Sequence, residues 1–178
     1  MITIITDDSK ENYSGLIKKA LFQYAVKAVI FKANEFNVES CRGCSSCSGK
    51  TFGRCILEDD MQKIFPKLVR SEKIVLVSPI TYGGVSFNIK KIMDRLASVG
   101  DPRYYLKDGE LVKKMRIKDL KYYMIGIKEG LSEEENRIFK QLHRENIRIM
   151  SVDGKVFTIS RQLNNDDMDI IFREICYD

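Results

Sequence analysis

Histidine is almost absent from this chain of 178 residues, with His143 as its sole representative. His143 stands in a helical segment rich in charged residues, where we expect it to be exposed to solvent. One such residue provides neither a catalytic triad nor a histidine metal site. The sequence therefore offers no catalytic acid or base, and we assign none.

Long apolar segments are also missing. The first eight residues contain no basic stretch followed by an apolar run, and no segment approaches the roughly eighteen apolar residues of a membrane-spanning helix. We therefore expect neither secretion nor membrane insertion, and a cytoplasmic protein. With 44% hydrophobic and 31% charged residues, residues 1–178 are expected to form a single globular domain.

A strong excess of one charge is lacking as well. The formal net charge is +5, and most basic residues alternate with acidic ones, so nucleic-acid binding is not indicated. The exception is the segment Arg103–Lys121, in which seven basic residues face three acidic ones. Two interpretations are open for it: a solvated surface, or attraction of an anionic electron donor such as NADPH.

Cysteine, in contrast, is concentrated in one place. Four of the five cysteines, Cys41, Cys44, Cys47 and Cys55, form a C-x2-C-x2-C-x7-C pattern. Thiolates at this spacing can surround one side of an inorganic core, and a [4Fe–4S] cluster needs four such ligands. The small residues between them allow tight turns, so the pattern predicts a metal-binding loop over 41–55.

Two other interpretations of the cysteines remain open. A zinc site is one, although four-cysteine zinc sites usually consist of two separated C-x2-C pairs. Free thiols or disulfides in a loop are the other. Cys176 lies apart on an apolar helical stripe, where a buried cysteine behaves as a small hydrophobic residue, and it receives no role.

Short apolar runs alternate with helical patterns along the chain. The runs predict strands at Ile2–Thr6, Ala28–Lys32, Lys73–Ser78, Tyr122–Ile127 and about Ile147–Val152. Asp153-Gly154 predicts a hairpin, with Lys155–Ile159 returning as an extra edge strand. Helices are predicted from Asp60 to Arg70 and from Asp166 to about Cys176. Pro66 should kink or shorten the first of them.

Five buried strands joined by helices predict a three-layer α/β/α sandwich of the doubly wound type, with a mostly parallel sheet covered by helices on both faces. A ligand should then bind beyond the carboxyl ends of the strands, where the strand order reverses. We expect the cysteine loop at that edge and an insertion at about 99–120.

Two segments resemble a known family. The segment Ser78–Arg95 reads SPITYGGVSFNIKKIMDR and resembles the flavin loop of flavodoxin-fold NAD(P)H-dependent FMN oxidoreductases. The segment Cys41–Met61 reads CRGCSSCSGKTFGRCILEDDM and resembles the cysteine loop of the iron–sulfur flavoproteins within that group. The two matches, extended to Gly126, cover about half of the chain.

The resemblance implies a flavodoxin-like fold, with the five strands of the sheet in the order 2-1-3-4-5, and a flavin site. FMN would lie against the loop from Pro79 to Ser86, with NAD(P)H or a reduced protein as electron donor and a small molecule or protein as acceptor. The implied cofactor-binding residues are Thr6, Ser9, Lys10, Asn12, Ser14, Pro79, Ile80, Thr81, Tyr82, Gly83, Gly84, Ser86 and Gly126. The apolar residues Phe52, Phe87 and Tyr104–Leu106 would provide a surface for pairing two copies of the chain.

The first loop departs from the family pattern, which there resembles a hydroxyl-rich and amide-rich phosphate site. This chain has Asp7, Asp8 and Glu11 in that loop, and acids oppose a phosphate dianion. The sequence therefore leaves a second function open, a flavodoxin-fold protein that binds FMN weakly or not at all and serves as a binding subunit, with its cysteines as thiols or a zinc site.

Overall fold

The computed structural model of this protein describes residues 1–160 and 162–178. Numbered in chain order, the strands are β1 (Ile2–Thr6), β2 (Ala28–Lys32), β3 (Lys73–Thr81), β4 (Gly84–Val85), β5 (Tyr105–Lys107), β6 (Glu110–Val112), β7 (Lys121–Ile127) and β8 (Asp153–Ile159). The α-helices are α1 (Tyr13–Phe22), α2 (Met61–Leu68), α3 (Phe87–Arg95), α4 (Glu133–Met150) and α5 (Asn165–Tyr177), with single 3-10 turns at Ala33–Glu35 and Leu96–Ser98.

The central sheet runs in the order β2-β1-β3-β7-β8, and these five strands are parallel. The predicted order 2-1-3-4-5 is confirmed. Consecutive residues of β3 face opposite layers: Ile74 and Leu76 pack towards α2, α3 and α4, whereas Val75 and Val77 pack towards α1 and α5. A strand covered on both faces needs apolar residues at every position, which explains why the sequence predicts β3 as a continuous apolar run.

The fifth strand was predicted in the wrong place. Ile147–Val152 belongs to the last turn of α4 and the residues that follow it; the helix ends at Met150 and is capped by Ser151, whose φ is 51°. Phe139, Ile147 and Met150 recur at helical spacing and pack on the sheet, so the apolar stripe of α4 continues through the predicted strand. Asp153 and Gly154 open β8, parallel to β7, and form no hairpin.

Two smaller elements bear on the predictions. The helix that contains Pro66 spans only Met61–Leu68, as expected from a residue that removes one helical hydrogen bond. The segment 99–120 carries an antiparallel hairpin of β5 and β6.

Within the described ranges, no helix combines the length and the hydropathy needed to cross a membrane.

His143 is buried, which corrects the expectation of an exposed residue. Its side chain is 0% exposed, and its ring centroid lies 4.4 Å from that of Phe139, one turn earlier on α4. Its Nδ1 lies 3.3 Å from the amide nitrogen of Asn146, while its Nε2 has no hydrogen-bond partner among the described residues. Burial lowers the pKa of His143 from 6.5 to about 4, so the ring is neutral at physiological pH.

His143 should therefore make stability depend on pH. Between pH 6.5 and about 4 the unfolded chain binds a proton at this ring that the folded chain does not, so the free energy of unfolding falls as pH falls through that window. The full difference is about 3 kcal/mol. We expect His143→Leu to lose this part of the pH dependence in urea unfolding curves. The chain has no other histidine. If the free energy of unfolding changed equally with pH in the wild type and in His143→Leu over this window, the lowered pKa of His143 would be contradicted.

Candidate functional site

The loops after β1, β3 and β7 meet at the carboxyl edge of the sheet. Since β1 pairs with β2 on one side and β3 on the other, the chain leaves the sheet in opposite directions there, which is where such folds bind ligands. A cavity of about 310 Å³ opens at this edge. Its lining combines the apolar Tyr13, Pro79, Ile80 and Ile127 with the charged Lys10, Glu11, Lys128 and Glu129.

The predicted flavin loop forms a tight hairpin. β4 folds back on β3, so that Ile80 pairs with Val85 and Thr81 with Gly84. Tyr82 and Gly83 form the turn, with φ of 50° and 74°, and the Tyr82 side chain is 94% exposed at its tip. The hairpin continues into α3, where the Ser86 hydroxyl accepts a hydrogen bond from the N–H of Ile89.

The hydroxyl of Ser78 fixes this hairpin from inside, because it accepts a 2.8 Å hydrogen bond from the N–H of Ser86. The structure thus brings the predicted residues Pro79 to Gly84 and Ser86 together in one compact element. Pro79 and Ile80 line the cavity, while an exposed aromatic ring stands at the tip. This arrangement offers a surface for a planar ring system at the edge of the sheet.

Gly126 has a packing role in this structure. It lies within β7 between Ser78 of β3 and Thr158 of β8. A Cβ at this position would approach Phe139 Cε1 to 2.5 Å and Ile80 Cδ1 to 2.8 Å. The absence of a side chain therefore allows α4 to pack closely on the sheet.

Substitution of Gly126 tests this role. We expect Gly126→Ala to lower the free energy of unfolding of the flavin-free protein by roughly 1–3 kcal/mol, because the added methyl overpacks a filled interior. Gly49→Ala is the matched control, since its new Cβ would have only a 3.7 Å contact with a backbone oxygen. Unchanged stability of the flavin-free Gly126→Ala protein would contradict a packing role.

The first loop contains an anion of its own. The Asp8 carboxylate lies at the start of α1, where it accepts hydrogen bonds from the Ser14 hydroxyl at 2.6 Å and the Ser14 N–H at 3.2 Å. The N–H of Gly15 donates to the side chain of Asn12, and the N–H of Tyr13 donates to the Glu11 carbonyl. A weaker 3.4 Å contact joins the N–H of Leu16 to the Asn12 carbonyl. All four N–H groups of the first turn of α1 thus have partners within the chain.

A second carboxylate lies beneath this loop. The Asp7 side chain is buried, and it accepts hydrogen bonds from the N–H of Ser9 at 3.2 Å and the amide of Asn88 at 3.4 Å. Burial alone would raise the pKa of Asp7, but hydrogen bonds from Ser86, Ser9 and Asn88 outweigh it and hold the pKa below its usual value. Asp7 is therefore ionised and ties the first loop to the start of α3.

Two of the predicted phosphate donors are already engaged within the chain. Ser14 is bonded to Asp8, Asn12 caps α1, and the buried hydroxyl of Thr6 has no partner in the part of the chain that the structure describes. A phosphate dianion would meet two carboxylates and no free N–H group in the first turn of α1. The carboxyl edge accordingly suits the ring of a flavin better than its phosphate.

A buried ion pair closes the base of the cysteine loop. Arg95 donates to both oxygens of Asp59, at 2.7 and 3.2 Å, and both side chains are almost fully buried. Arg95 also donates to the Glu39 carbonyl, and Asp59 accepts from the N–H of Glu39 and of Met61. Residues 39 and 59 are thereby held together, so that the segment between them projects as a closed loop. No local sequence pattern links these residues, and the sequence analysis missed them.

The four thiols lie on this projecting loop without converging. Cys41 and Cys44 are exposed, and Cys47 and Cys55 are half-buried. No group of three or more histidine, cysteine, aspartate or glutamate side chains within residues 1–160 and 162–178 is placed to hold a metal. The residue types suit an iron–sulfur cluster, but the loop would have to rearrange to enclose one.

One thiol of the loop has a lowered pKa, and a buried cation lies beside two of the others. Hydrogen bonds from the side chain and backbone of Ser46 lower the pKa of the Cys44 thiol. Burial alone would lower the pKa of Arg95, but Asp59 and the nearby thiols of Cys55 and Cys41 outweigh it and raise the pKa. Arg95 is thus a fixed positive charge beside two of the four cysteines, which suits anionic ligands.

The position of the loop corrects the sequence-based expectation. Arg95 is the last residue of α3, whereas the flavin-type hairpin precedes the first. Ser48 accepts a hydrogen bond from Lys113, and the Phe52 carbonyl accepts one from Arg116, so the loop packs against the segment before β7. The cysteine loop therefore lies towards the far end of α3, about 13 Å along its axis, and away from the carboxyl edge.

The ion pair at the loop base should be important for stability. We expect Asp59→Asn to lower the free energy of unfolding by on the order of 3–5 kcal/mol, because it leaves the buried Arg95 charge uncompensated. Asp101→Asn is the control, since Asp101 pairs with Arg103, which is 74% exposed, and such pairs contribute about 0–1 kcal/mol. Equal effects in urea unfolding would show that Arg95 and Asp59 do not hold the loop.

The basic segment lies elsewhere. Lys113 is buried over the ring of Tyr104, and Arg103 pairs with Asp101. A cavity of about 610 Å³ lies between this segment and the end of α4, and its lining includes Leu120 and Asp153. These residues adjoin the amino ends of β7 and β8. The basic segment is therefore at the opposite edge of the sheet from the first loop, and attraction of NADPH stays a prediction.

Comparison with curated proteins gives partial matches. No protein-family model matches the chain. The chain is 32% identical over 87 residues to an iron–sulfur flavoprotein of Methanocaldococcus jannaschii, covering 47% of this chain and 44% of the relative. It is 28% identical over 79 residues to an iron–sulfur flavoprotein of Methanosarcina thermophila, covering 44% and 40%. The chain thus matches less than half of the length of these relatives.

Solved structures match along nearly the whole chain. An NAD(P)H:quinone oxidoreductase from Methanothermobacter marburgensis has a TM-score of 0.67 at 13% identity, covering 98% of this chain and 96% of that protein. An FMN-dependent NADH-azoreductase from Bacillus anthracis, solved with FMN, has a TM-score of 0.60 at 12% identity, covering 99% and 96%. At these identities the likeness establishes the fold, which is flavodoxin-like as predicted. The predicted resemblance to iron–sulfur flavoproteins is confirmed by the curated relatives.

Proposed function

We propose that this chain, a flavodoxin-like protein related to the iron–sulfur flavoproteins, is a flavin-dependent redox protein. The observation that carries the proposal is its 32% identity over 87 residues to a protein of that name. The hairpin and cavity at the carboxyl edge support it, because flavodoxin-like folds bind flavin there. Fold alone would not be sufficient.

In its finer form, the proposal is an NAD(P)H-dependent flavin oxidoreductase or an electron-transfer flavoprotein. The donor would be NAD(P)H or a reduced protein, and the acceptor a small molecule or protein. A bound flavin would supply hydride and single-electron chemistry. The chain's own residues bind and orient: Pro79 and Ile80 line the cavity, Ser78 and Ser86 fix the hairpin, and Tyr82 offers an aromatic face.

We further propose that Cys41, Cys44, Cys47 and Cys55 hold a [4Fe–4S] cluster. Their sulfur chemistry and spacing support this ligand set, and the Asp59–Arg95 pair keeps the two ends of the loop together. Cys41 and Cys44 are exposed, so the part of the loop that carries them can close over a cluster while Arg95 and Asp59 hold its ends.

Cofactor content tests both parts. In protein purified without oxygen, we expect about one flavin and about four irons with matching sulfide per chain. Cys44→Ala should lose the iron and keep the flavin. Cys176→Ala is the control and should keep both cofactors. Cys176 lies in α5 and packs, half-buried, on the apolar layer between the sheet and helices α1 and α5, away from the cysteine loop. Iron that persists in Cys44→Ala would contradict the ligand assignment.

One observation supports the alternative function of a binding subunit without a flavin. The closed first turn of α1 favours a protein that has lost the cofactor and acts as a binding subunit, with free thiols or a zinc site. Protein without flavin or iron, even after titration with flavins, would establish this second function. Zinc in place of iron would identify the cysteine loop as a structural metal site.

A further inference from the structure

We infer that the flavin site of this chain selects a flavin without a phosphate, riboflavin rather than FMN, and that Asp8 sets this preference. The inference rests on the proposed function, because it specifies the class of flavin that the same site accepts. It concerns the first loop, which contains Asp7, Asp8 and Glu11 and departs from the pattern of the family that the chain resembles.

The hydrogen-bond donors at the start of α1 are already bonded within the chain. In an open anion site, the N–H groups at a helix start point towards the ligand. Here the N–H and hydroxyl of Ser14 donate to Asp8, and the N–H of Gly15 donates to Asn12. The Asp8 N–H is also engaged, because it donates to the side chain of Asn34 at 3.0 Å. A phosphate would have to displace the carboxylate from these donors.

The negative charge of the first loop also opposes a phosphate. The buried Asp7 carboxylate lies one residue before Asp8, held by the N–H of Ser9 and the amide of Asn88. A phosphate at the start of α1 would therefore approach two carboxylates. The cavity lining adds no net positive charge, because Lys10 and Lys128 are balanced there by Glu11 and Glu129. Lys128 also pairs with Glu135.

A neutral flavin tail suits the same loop. The ribityl chain of riboflavin ends in hydroxyl groups, which donate hydrogen bonds, and carboxylate oxygens accept several each. The free N–H groups of an open helix start would suit an anion. With Asp8 in place, the loop instead presents carboxylate oxygens, which can accept hydrogen bonds from the hydroxyl groups of a polyol. The ring-binding part of the edge, with Pro79, Ile80 and the exposed Tyr82, is unaffected by this exchange.

The test compares two flavins on residues 1–178 of the protein after the bound flavin has been removed. Riboflavin and FMN are titrated separately, with quenching of flavin fluorescence as the readout. We expect riboflavin to bind at least about tenfold more tightly than FMN. Added salt should narrow the gap, since it screens the repulsion between carboxylates and phosphate.

Asp8→Ser supplies the second measurement, because it removes the carboxylate and leaves the helix start with an uncharged hydroxyl. We expect FMN affinity to rise about tenfold or more relative to riboflavin. Glu133→Gln is the matched control: it removes one exposed negative charge from the start of α4, at the same edge of the sheet but outside the first loop. Its ratio of affinities should stay within about twofold of wild type.

The outcomes separate the two proposals. Equal or tighter binding of FMN by the wild-type protein overturns the inference and leaves the proposed flavin function intact. An equal shift in Glu133→Gln and Asp8→Ser overturns the role of Asp8, because overall charge would then explain the preference. Binding of neither flavin by wild type overturns the proposed function, and the inference with it. The wild-type comparison needs no variant, so a failure of Asp8→Ser to fold does not affect it.

Discussion

The parallel pairing of β1 with β3 is the contact on which the candidate site depends. It sets Thr6 beside Val77, and the N–H of Asp7 extends the pairing by donating to the Val77 carbonyl at 3.1 Å. Because of this register, the first loop and the hairpin after β3 leave the sheet side by side. The Asp7 carboxylate then lies where Asn88 and Ser86 can hold it, so that backbone pairing in the sheet determines the charge at the edge.

Helix α3 relates the two candidate cofactor sites. Its first turn is joined to the hairpin through Ser86 and to the first loop through Asn88. Its last residue, Arg95, holds the base of the cysteine loop through Asp59. One rigid element thus separates a flavin-type edge from a cysteine-bearing loop. The loop can change conformation at its exposed tip while its base and the hairpin stay fixed.

The first loop shows how a fold and its usual ligand can diverge. The backbone has the form of a helix start at the end of a strand, which in this fold suits an anion. The chain places its own anion there: the Asp8 carboxylate accepts from Ser14, and the Asn12 side chain accepts from the N–H of Gly15. Internal capping of this kind stabilises α1. The same interaction that helps the helix form therefore opposes a phosphate ligand, and likeness of fold is a poor guide to this part of the site.

The sequence by itself determined the first four strands of the parallel sheet, the hairpin residues and the cysteine pattern, because apolar runs, turn glycines and ligand spacing are local signals. It placed β8 and His143 wrongly, because the charged residues of α4 concealed a stripe that runs on to Met150. Only the tertiary structure decided that Asp8 bonds to Ser14, that Arg95 meets Asp59, and that the cysteine loop lies at the far end of α3. These contacts join residues whose geometry depends on how loops and layers pack, and a linear pattern carries no record of that packing.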